Sequence, residues 1–362
     1  MSYLYLTADK VGMASGGGRV TQEESTALHD LAVMEGEECQ IWGRDELYEG
    51  IGKTHPLGNN EPWFWDDQAW DSLWKASRFH VECPFSLVHA YAGTFTNTVG
   101  ALRAQGRGIR IAYTAAAHDI HKSRDEHLKL GLPFDYPHLN DPQLWNRYVG
   151  GYRAADVVVC PSQHSAECMH GYGCQRVEII PHGVDIVGKV KPPPGRFIVG
   201  YLGAVGPDKG LVYLLQAWKK LNYPDATLVI AGRDSQSPFV GHLAKDVPHI
   251  SLAGWIGNIA DFYSNISLYV QPSITEGFGI EVLEAMAHGR AVLVSDGAGA
   301  ADVVPHTWQF PAGNVDTLAE KIDQFRKCDL GLMGSIGRGL AAEYSWEKIR
   351  ARYQDLWRRL LA

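Results

Sequence analysis

Short apolar runs alternate along the chain with glycine- or proline-rich turns and with segments of helical spacing. Residues 3–7 alternate as a first strand does, and residues 12–18, with Gly16, Gly17 and Gly18, lead from them into a helical stretch at about 21–35. Residues 85–92 predict a buried strand, 94–105 a helix and 109–114 the next strand. Strand 156–160, helix 163–172 with Ser162 as N-cap, and strand 177–180 follow. Three consecutive prolines then mark residues 189–195 as a linker, after which the pattern restarts. The second half reads as strand 197–202, helix 211–221, and strands 226–231, 250–253, 266–270 and 291–295. A helix over 314–328 is capped by Asn314 or Asp316, and Ser345 opens a final helix with Ile349, Tyr353, Leu356, Trp357 and Leu360 on one face. Strands alternating with helices predict parallel sheets with ligands at the carboxyl ends of the strands.

A chain of 362 residues is too long for one ordinary core and fits two domains. Hydrophobic content of 45% and charged content of 20% are those of a globular protein, and no apolar run approaches the roughly 18 residues that span a bilayer. Residues 2–8 lack the basic start and long apolar segment of a signal peptide, and the scattered cysteines lack a Cys-x-x-Cys pair. Both features lead us to expect a cytoplasmic protein with reduced thiols. A net charge of −8 argues against nucleic acid as a partner and against adhesion to anionic lipid by bulk charge.

The chemistry concentrates in residues 272–289. Gly277 and Gly279 allow a tight turn, residues 280–288 have helical spacing, and Gly289 stops the helix. On a helical wheel Ile280, Val282, Leu283, Met286 and Ala287 form an apolar arc from which Glu281 and His288 point away. Glu284 falls at the edge of that arc, where a carboxylate needs hydrogen-bond donors. Nothing nearby in sequence supplies them, so a ligand with hydroxyls fits. Glu276 lies in the loop before the helix, whose N-terminal amides and dipole attract phosphate. A plainer alternative has Glu276 capping the helix and Glu284 meeting an arginine.

Glu276 and Glu284, within Pro-Ser-x-x-Glu-Gly-Phe-Gly, resemble the Glu-x7-Glu motif of retaining glycosyltransferases of the GT-B fold, in particular family 4. Residues 180–185, Ile-Pro-His-Gly-Val-Asp, are similar to the family signature at the end of the first domain. The resemblance implies an N-terminal domain over 1–188 joined by helix 345–362, a linker at 189–195 and a nucleotide-sugar-binding domain over 196–344. It implies transfer of a sugar from a UDP-, GDP- or ADP-linked donor to a hydroxyl acceptor, with retained configuration and no metal or other cofactor. Glu284 would hold the ribose, Glu276 and His118 the transferred sugar, and Lys209 with the amides of Gly277, Phe278, Gly279 and Ile280 the diphosphate. Gly203 and, from the opposite domain, Gly16 and Gly17 would approach the donor. One position departs from the family: where its loop carries an arginine before the lysine, this chain has Ala204. Arg233 or Arg19 would then have to supply that charge.

Other readings stay beside this one. Ala204 favours a catalytically silent binding or scaffold subunit, and a sugar-nucleotide epimerase would use the same fold. A pyridoxal phosphate phosphorylase would need a Schiff-base lysine motif that is not found. The spacing of His118, His121 and His127 lacks the i, i+4 pairing of a helical zinc motif. Lys209 alone also reads as a solvated turn lysine. Trp63, Phe64, Trp65, Trp70 and Trp74, interleaved with aspartates, fit core packing better than sugar stacking or a membrane interface. Nothing else in the sequence indicates membrane association.

Overall fold

A computed structural model of the protein describes residues 2–7, 16–43, 53–56, 85–91, 108–132, 134 and 142–362. The expected helix 94–105 and the tryptophan-rich segment 61–74 lie outside these residues. Among the described residues, seven parallel strands build the first sheet: β1 (Ser2–Thr7), β2 (Glu38–Gly43), β3 (Lys53–Pro56), β4 (Phe85–Tyr91), β5 (Arg110–Thr114), β6 (Val157–Cys160) and β7 (Val177–Ile179). Their order is β3-β2-β1-β4-β5-β6-β7. Six more build the second: β8 (Ile198–Leu202), β9 (Thr227–Ala231), β10 (Ile250–Gly254), β11 (Leu268–Gln271), β12 (Ala291–Ser295) and β13 (Gln309–Phe310), in the order β10-β9-β8-β11-β12-β13. Both orders are doubly wound, so the chain forms two Rossmann-like domains with switch points at β1/β4 and β8/β11. Helices cover both faces, which is why central strands such as β6 (Val-Val-Val-Cys) and β12 (Ala-Val-Leu-Val-Ser) are buried throughout.

Among the described residues of the first half the helices are α1 (Gly16–Glu35), α2 (Ile120–Lys129), α3 (Pro142–Ala154) and α4 (Gln163–Gly171). In the second they are α5 (Leu211–Leu221), α6 (Pro238–Ala244), α7 (Ile259–Ser264), α8 (Ile280–Ala287), α9 (Val315–Arg326) and α10 (Leu330–Ala341). Helix α1 begins at Gly16, several residues before the expected start, so Gly16 and Gly17 are its first turn. Two arginines hold the linker and the residues just before it to the second domain: buried Arg290 donates to the Lys191 and Ile266 carbonyls, and Arg338 to those of Val187 and Gly188.

The last helix, α11 (Trp346–Leu361), returns to the first domain and packs on α1, β4 and β5. Trp346, Ile349, Tyr353, Leu356, Trp357 and Leu360 share a core with Tyr3, Leu28, Leu87 and Val159. A polar network lies inside this core. The Glu24 carboxylate accepts from Tyr5 at 2.7 Å, Thr114 at 2.8 Å and Tyr353 at 2.6 Å, and lies 3.3 Å from His89 Nε2. Trp357 Nε1 donates to His89 Nδ1 at 3.0 Å. Burial alone would raise the Glu24 carboxyl, but these hydrogen bonds and the His89 ring outweigh it and hold it below the usual carboxylate range.

The two domains touch along a seam of small residues. Ser162 Oγ donates to the Gly277 carbonyl at 2.7 Å, the Asp119 amide to Thr275 Oγ1 at 2.8 Å, and the Gln163 amide to Asp302 at 2.7 Å. A Cβ at Gly277 would stand 2.4 Å from the Ala116 carbonyl oxygen, so only glycine permits this approach. Across the same interface Tyr213 donates to Glu126 at 2.6 Å. No helix among the described residues is long and apolar enough to cross a membrane.

Candidate active site

The carboxyl ends of β8 and β11 open into a cavity of about 210 Å³ between the domains. After β8 the chain passes Gly203 and Ala204 and turns through residues 207–209, which places Lys209 beside the loop after β11. Gly210 makes that approach possible: at φ 68° its Cβ would lie 1.9 Å from the Pro272 carbonyl oxygen. The Asp208 carbonyl accepts from the Ile274 amide at 2.7 Å, tying the two loops together. From the loop after β11, Glu276 is fixed by its own backbone, donating to Gly297 and accepting from Gly299, both at 3.0 Å. The chain then passes Gly279, left-handed at φ 93°, into α8 with no side chain capping the helix. The first turn and the positive end of the dipole therefore lie at the cavity, with the Glu281 carboxyl beside them.

Lys209 forms an ion pair with Glu276, and its ammonium is 3.8 Å from Asp208. Burial works against this charge, yet Glu276 and Asp208 outweigh it and keep Lys209 protonated well above its ordinary range. His118 lies within electrostatic reach of Asp208, Glu276 and Lys209, and burial favours its neutral ring. Phe278 is buried edge-on to His182, whose pKa burial lowers to about 4. The cavity thus collects Lys209, Glu276, Gly203, Phe278, Gly279 and Ile280.

Other expected members stand elsewhere. Gly277 serves the interdomain seam. Glu284 lies further along α8, within reach of Asp185 and Arg19, and its donor is Tyr263, whose hydroxyl is 3.0 Å from Oε2. A protein partner therefore exists for this carboxylate, and it is a tyrosine hydroxyl where the sequence suggested a ligand or an arginine. Arg233 is exposed and lines no part of the cavity, while Arg19 pairs with Asp185 at 2.9 Å and Glu23 at 2.7 Å. Neither occupies the position opened by Ala204. Gly16 and Gly17 stand at the start of α1.

The sequence reading missed Glu281, which lines the cavity beside Lys209 and Glu276. Its signal was present, since it pointed away from the apolar arc, but away from the core here means into the cleft. A second cavity, about 490 Å³, lies in the first domain and is lined by Asp119, His121, Lys122, His164, Trp145 and Tyr172 among others. Thr275 reaches it from the second domain, accepting from the Asp119 amide and lying 3.0 Å from His164 Nε2. Among the described residues no three His, Cys, Asp or Glu side chains gather as metal ligands, and Lys209 is the fixed positive charge at the cavity.

Two doubly wound domains facing across a cleft, with an uncapped helix and a glutamate–lysine pair at the switch point of the second, are the GT-B architecture. Two family models match in succession: Glycosyltransferase Family 4 over residues 15–187 and Glycosyl transferases group 1 over residues 196–327. The chain belongs to this glycosyltransferase family, of the group 1, family 4 type. It is 33% identical over 148 residues to the lipopolysaccharide core biosynthesis mannosyltransferase LpcC of Rhizobium leguminosarum bv. viciae, covering 35% of this chain and 42% of that protein. To the phosphatidyl-myo-inositol mannosyltransferase of Mycolicibacterium smegmatis it is 32% identical over 141 residues, 35% of this chain and 36% of that one. The chain thus spans less than half the length of these relatives. Among solved structures, sucrose-phosphate synthase from Thermosynechococcus elongatus superimposes with a TM-score of 0.76 at 18% identity, covering 99% of both chains. Anabaena HepE in complex with UDP-glucose gives 0.70 at 18% identity, over 99% of this chain and all of that one (100%).

Proposed function

We propose that the protein transfers a sugar from a nucleotide diphosphate sugar to a hydroxyl acceptor, with retention of configuration and without a metal. The observation that carries this reading is Lys209 held against Glu276 beside the uncapped start of α8. A diphosphate placed there meets an ammonium and the positive end of the helix dipole, which stabilise the charge that develops on the leaving group. Lys209 then exchanges Glu276 for phosphate, and Glu276 turns to the hydroxyls of the transferred sugar. His118, neutral and close to Glu276, acts from the sugar side, and Glu284, held by Tyr263, takes the ribose hydroxyls. No group is positioned as an enzymic nucleophile in this scheme: the departing phosphate helps to deprotonate the acceptor on the same face of the sugar. The acceptor enters from the first domain, and a carbohydrate or lipid-borne hydroxyl fits the names of the relatives.

UDP-glucose, GDP-mannose and ADP-glucose are the first donors to test, by binding calorimetry and by slow hydrolysis followed by NMR. The expected product anomer is the one with the donor's configuration, and turnover is expected to persist in a chelator. An inverted product or activity that disappears with chelation counts against those two parts of the reading. Glu284→Ala should weaken the nucleotide by about 1.5 to 3 kcal/mol, the range for hydrogen bonds to a charged group, without unfolding the protein. Unchanged affinity in the folded variant sinks the ribose assignment.

One observation favours the silent-subunit reading: Ala204 lines the cavity, and neither Arg19 nor Arg233 replaces the missing arginine. Ala204→Arg tests it directly. In an enzyme the new guanidinium gains a bidentate contact to the leaving diphosphate, and turnover should rise about tenfold, which is about 1.4 kcal/mol. A protein that binds no nucleotide sugar and hydrolyses none, with or without the substitution, is a scaffold.

A further inference from the structure

The cavity that would receive the donor is poorly balanced for an anion. Among the described residues lining it Lys209 is the one permanent cation, against the carboxyl groups of Glu276 and Glu281, with Asp208 at 3.8 Å from the same ammonium. His182, which lines the cavity, and His118, within electrostatic reach of Glu276 and Lys209, are kept neutral near pH 7 by burial and add no positive charge there. Glu281 stands in the first turn of α8, where a diphosphate would have to lie. The phenols that face it from the sheet are committed elsewhere: Tyr201 donates to the Ala204 carbonyl at 2.6 Å, and Tyr269 to Gln271 at 2.5 Å. Tyr263 donates to the Glu281 carbonyl oxygen and to the Glu284 carboxylate, leaving the Glu281 carboxyl without it. Ala204, on the same wall, supplies no counter-charge.

We propose that the donor diphosphate binds only with Glu281 in its neutral acid form, so that each donor molecule enters together with one proton. The inference rests on the transferase reading and adds to it a proton-linked donor site. A carboxylate at this position would face the diphosphate at close range in a cleft sheltered from water, where like charges repel strongly. The neutral acid removes that repulsion and gains an O–H to donate to a phosphate oxygen. The proton comes from solvent on binding and returns to it when the nucleoside diphosphate leaves.

The surroundings agree. Burial first, then the charges of Glu284 and Glu276, push Glu281 up to about 7, while its own backbone amide and Lys209 pull the other way. Bound diphosphate raises it further. Donor affinity is therefore level below about pH 7, where Glu281 is already protonated, and falls above it as the proton must be taken from an increasingly alkaline solution. Lys209, held above its ordinary range, stays charged throughout this window, and the two histidines titrate below it.

The experiment is calorimetric titration of UDP-glucose, which has no group titrating near neutrality, at about pH 6, 7 and 8, in buffers of low and high ionisation enthalpy. We expect about a tenfold loss of affinity between about pH 6 and pH 8, with buffer-dependent heats that report close to one proton taken up at the upper end. Glu281→Gln, which keeps the shape and removes the titration, should bind at about pH 8 as the unaltered protein does at about pH 6. A level affinity with no buffer-dependent heat in the unaltered protein overturns the inference, as does a Glu281→Gln variant that keeps the slope. Should that variant fail to fold, the buffer dependence of the unaltered protein decides alone. Absence of binding at every pH by UDP-glucose, GDP-mannose and ADP-glucose overturns the transferase reading and this inference with it.

Discussion

Lys209→Ala should lower turnover by roughly two to three orders of magnitude, the loss found when one preorganised donor to a developing oxyanion is removed. The effect is expected at the upper end because nothing stands behind the lysine. Arg19 is taken up by Asp185 and Glu23, Arg233 is exposed outside the cavity, and Ala204 has no charge to offer. Losing Lys209 also leaves Glu276 and Asp208 without their shared cation, so the pocket repels the diphosphate that it held. Since leaving-group charge grows toward the transition state, kcat should fall as well as donor affinity. Steady-state kinetics at saturating donor provide the check. A folded Lys209→Ala enzyme within tenfold of the unaltered rate means that another group carries the phosphate charge.

Glu24→Ala should destabilise the protein by about 3 to 5 kcal/mol, as removing one partner from a buried charged network does. Thermal unfolding should then shift down by roughly ten degrees for a domain of this size. The substitution strips an acceptor from Tyr5, Thr114 and Tyr353 and removes the carboxylate 3.3 Å from His89, all within one core. Helix α11 should loosen first, because Tyr353 and Trp357 are its polar anchors, and proteolysis near residue 345 reports that release. The pH dependence has a definite sign. With the folded Glu24 carboxyl lower than its usual 4.5, its stabilisation is complete above that value and is lost as pH falls through the lowered one. A Glu24→Ala protein that melts within a degree or two of the original removes the network from any role in stability.

Much of this architecture is legible in the chain because parallel strands covered on both faces are unbroken apolar runs. Strand β12 and helix α5 match the expected limits, and β6 and β9 start one residue later. Helix α10 was not legible. Its sequence, Leu-Gly-Leu-Met-Gly-Ser-Ile-Gly-Arg-Gly-Leu-Ala, is dominated by a residue unfavourable in helices. The reason is packing: a Cβ at Gly334 would stand 2.1 Å from the Gly289 carbonyl oxygen, so glycine lets α10 lie directly against the end of α8. At the site, the wheel set Glu281 away from the apolar arc and Glu284 at its edge but has no means to separate water from a cleft. The hydroxyl that satisfies Glu284 comes from Tyr263, on another helix, and local spacing is silent about such a partner.

The return of α11 to the first domain also sets an order of events during synthesis. The first domain's strands have all been made once residue 179 is complete, yet the groove over α1, β4 and β5 stays open until residues 346–361 are translated. At ordinary elongation rates that interval is roughly ten to forty seconds. Through it Glu24 and His89 face an uncovered groove, with Tyr353 and Trp357 still to come. The second domain, continuous from β8 to α10, has every strand of its sheet in hand before the older half of the molecule can close. A chain released after residue 345 should therefore display a finished second sheet beside a first domain that remains open to chaperones and proteases.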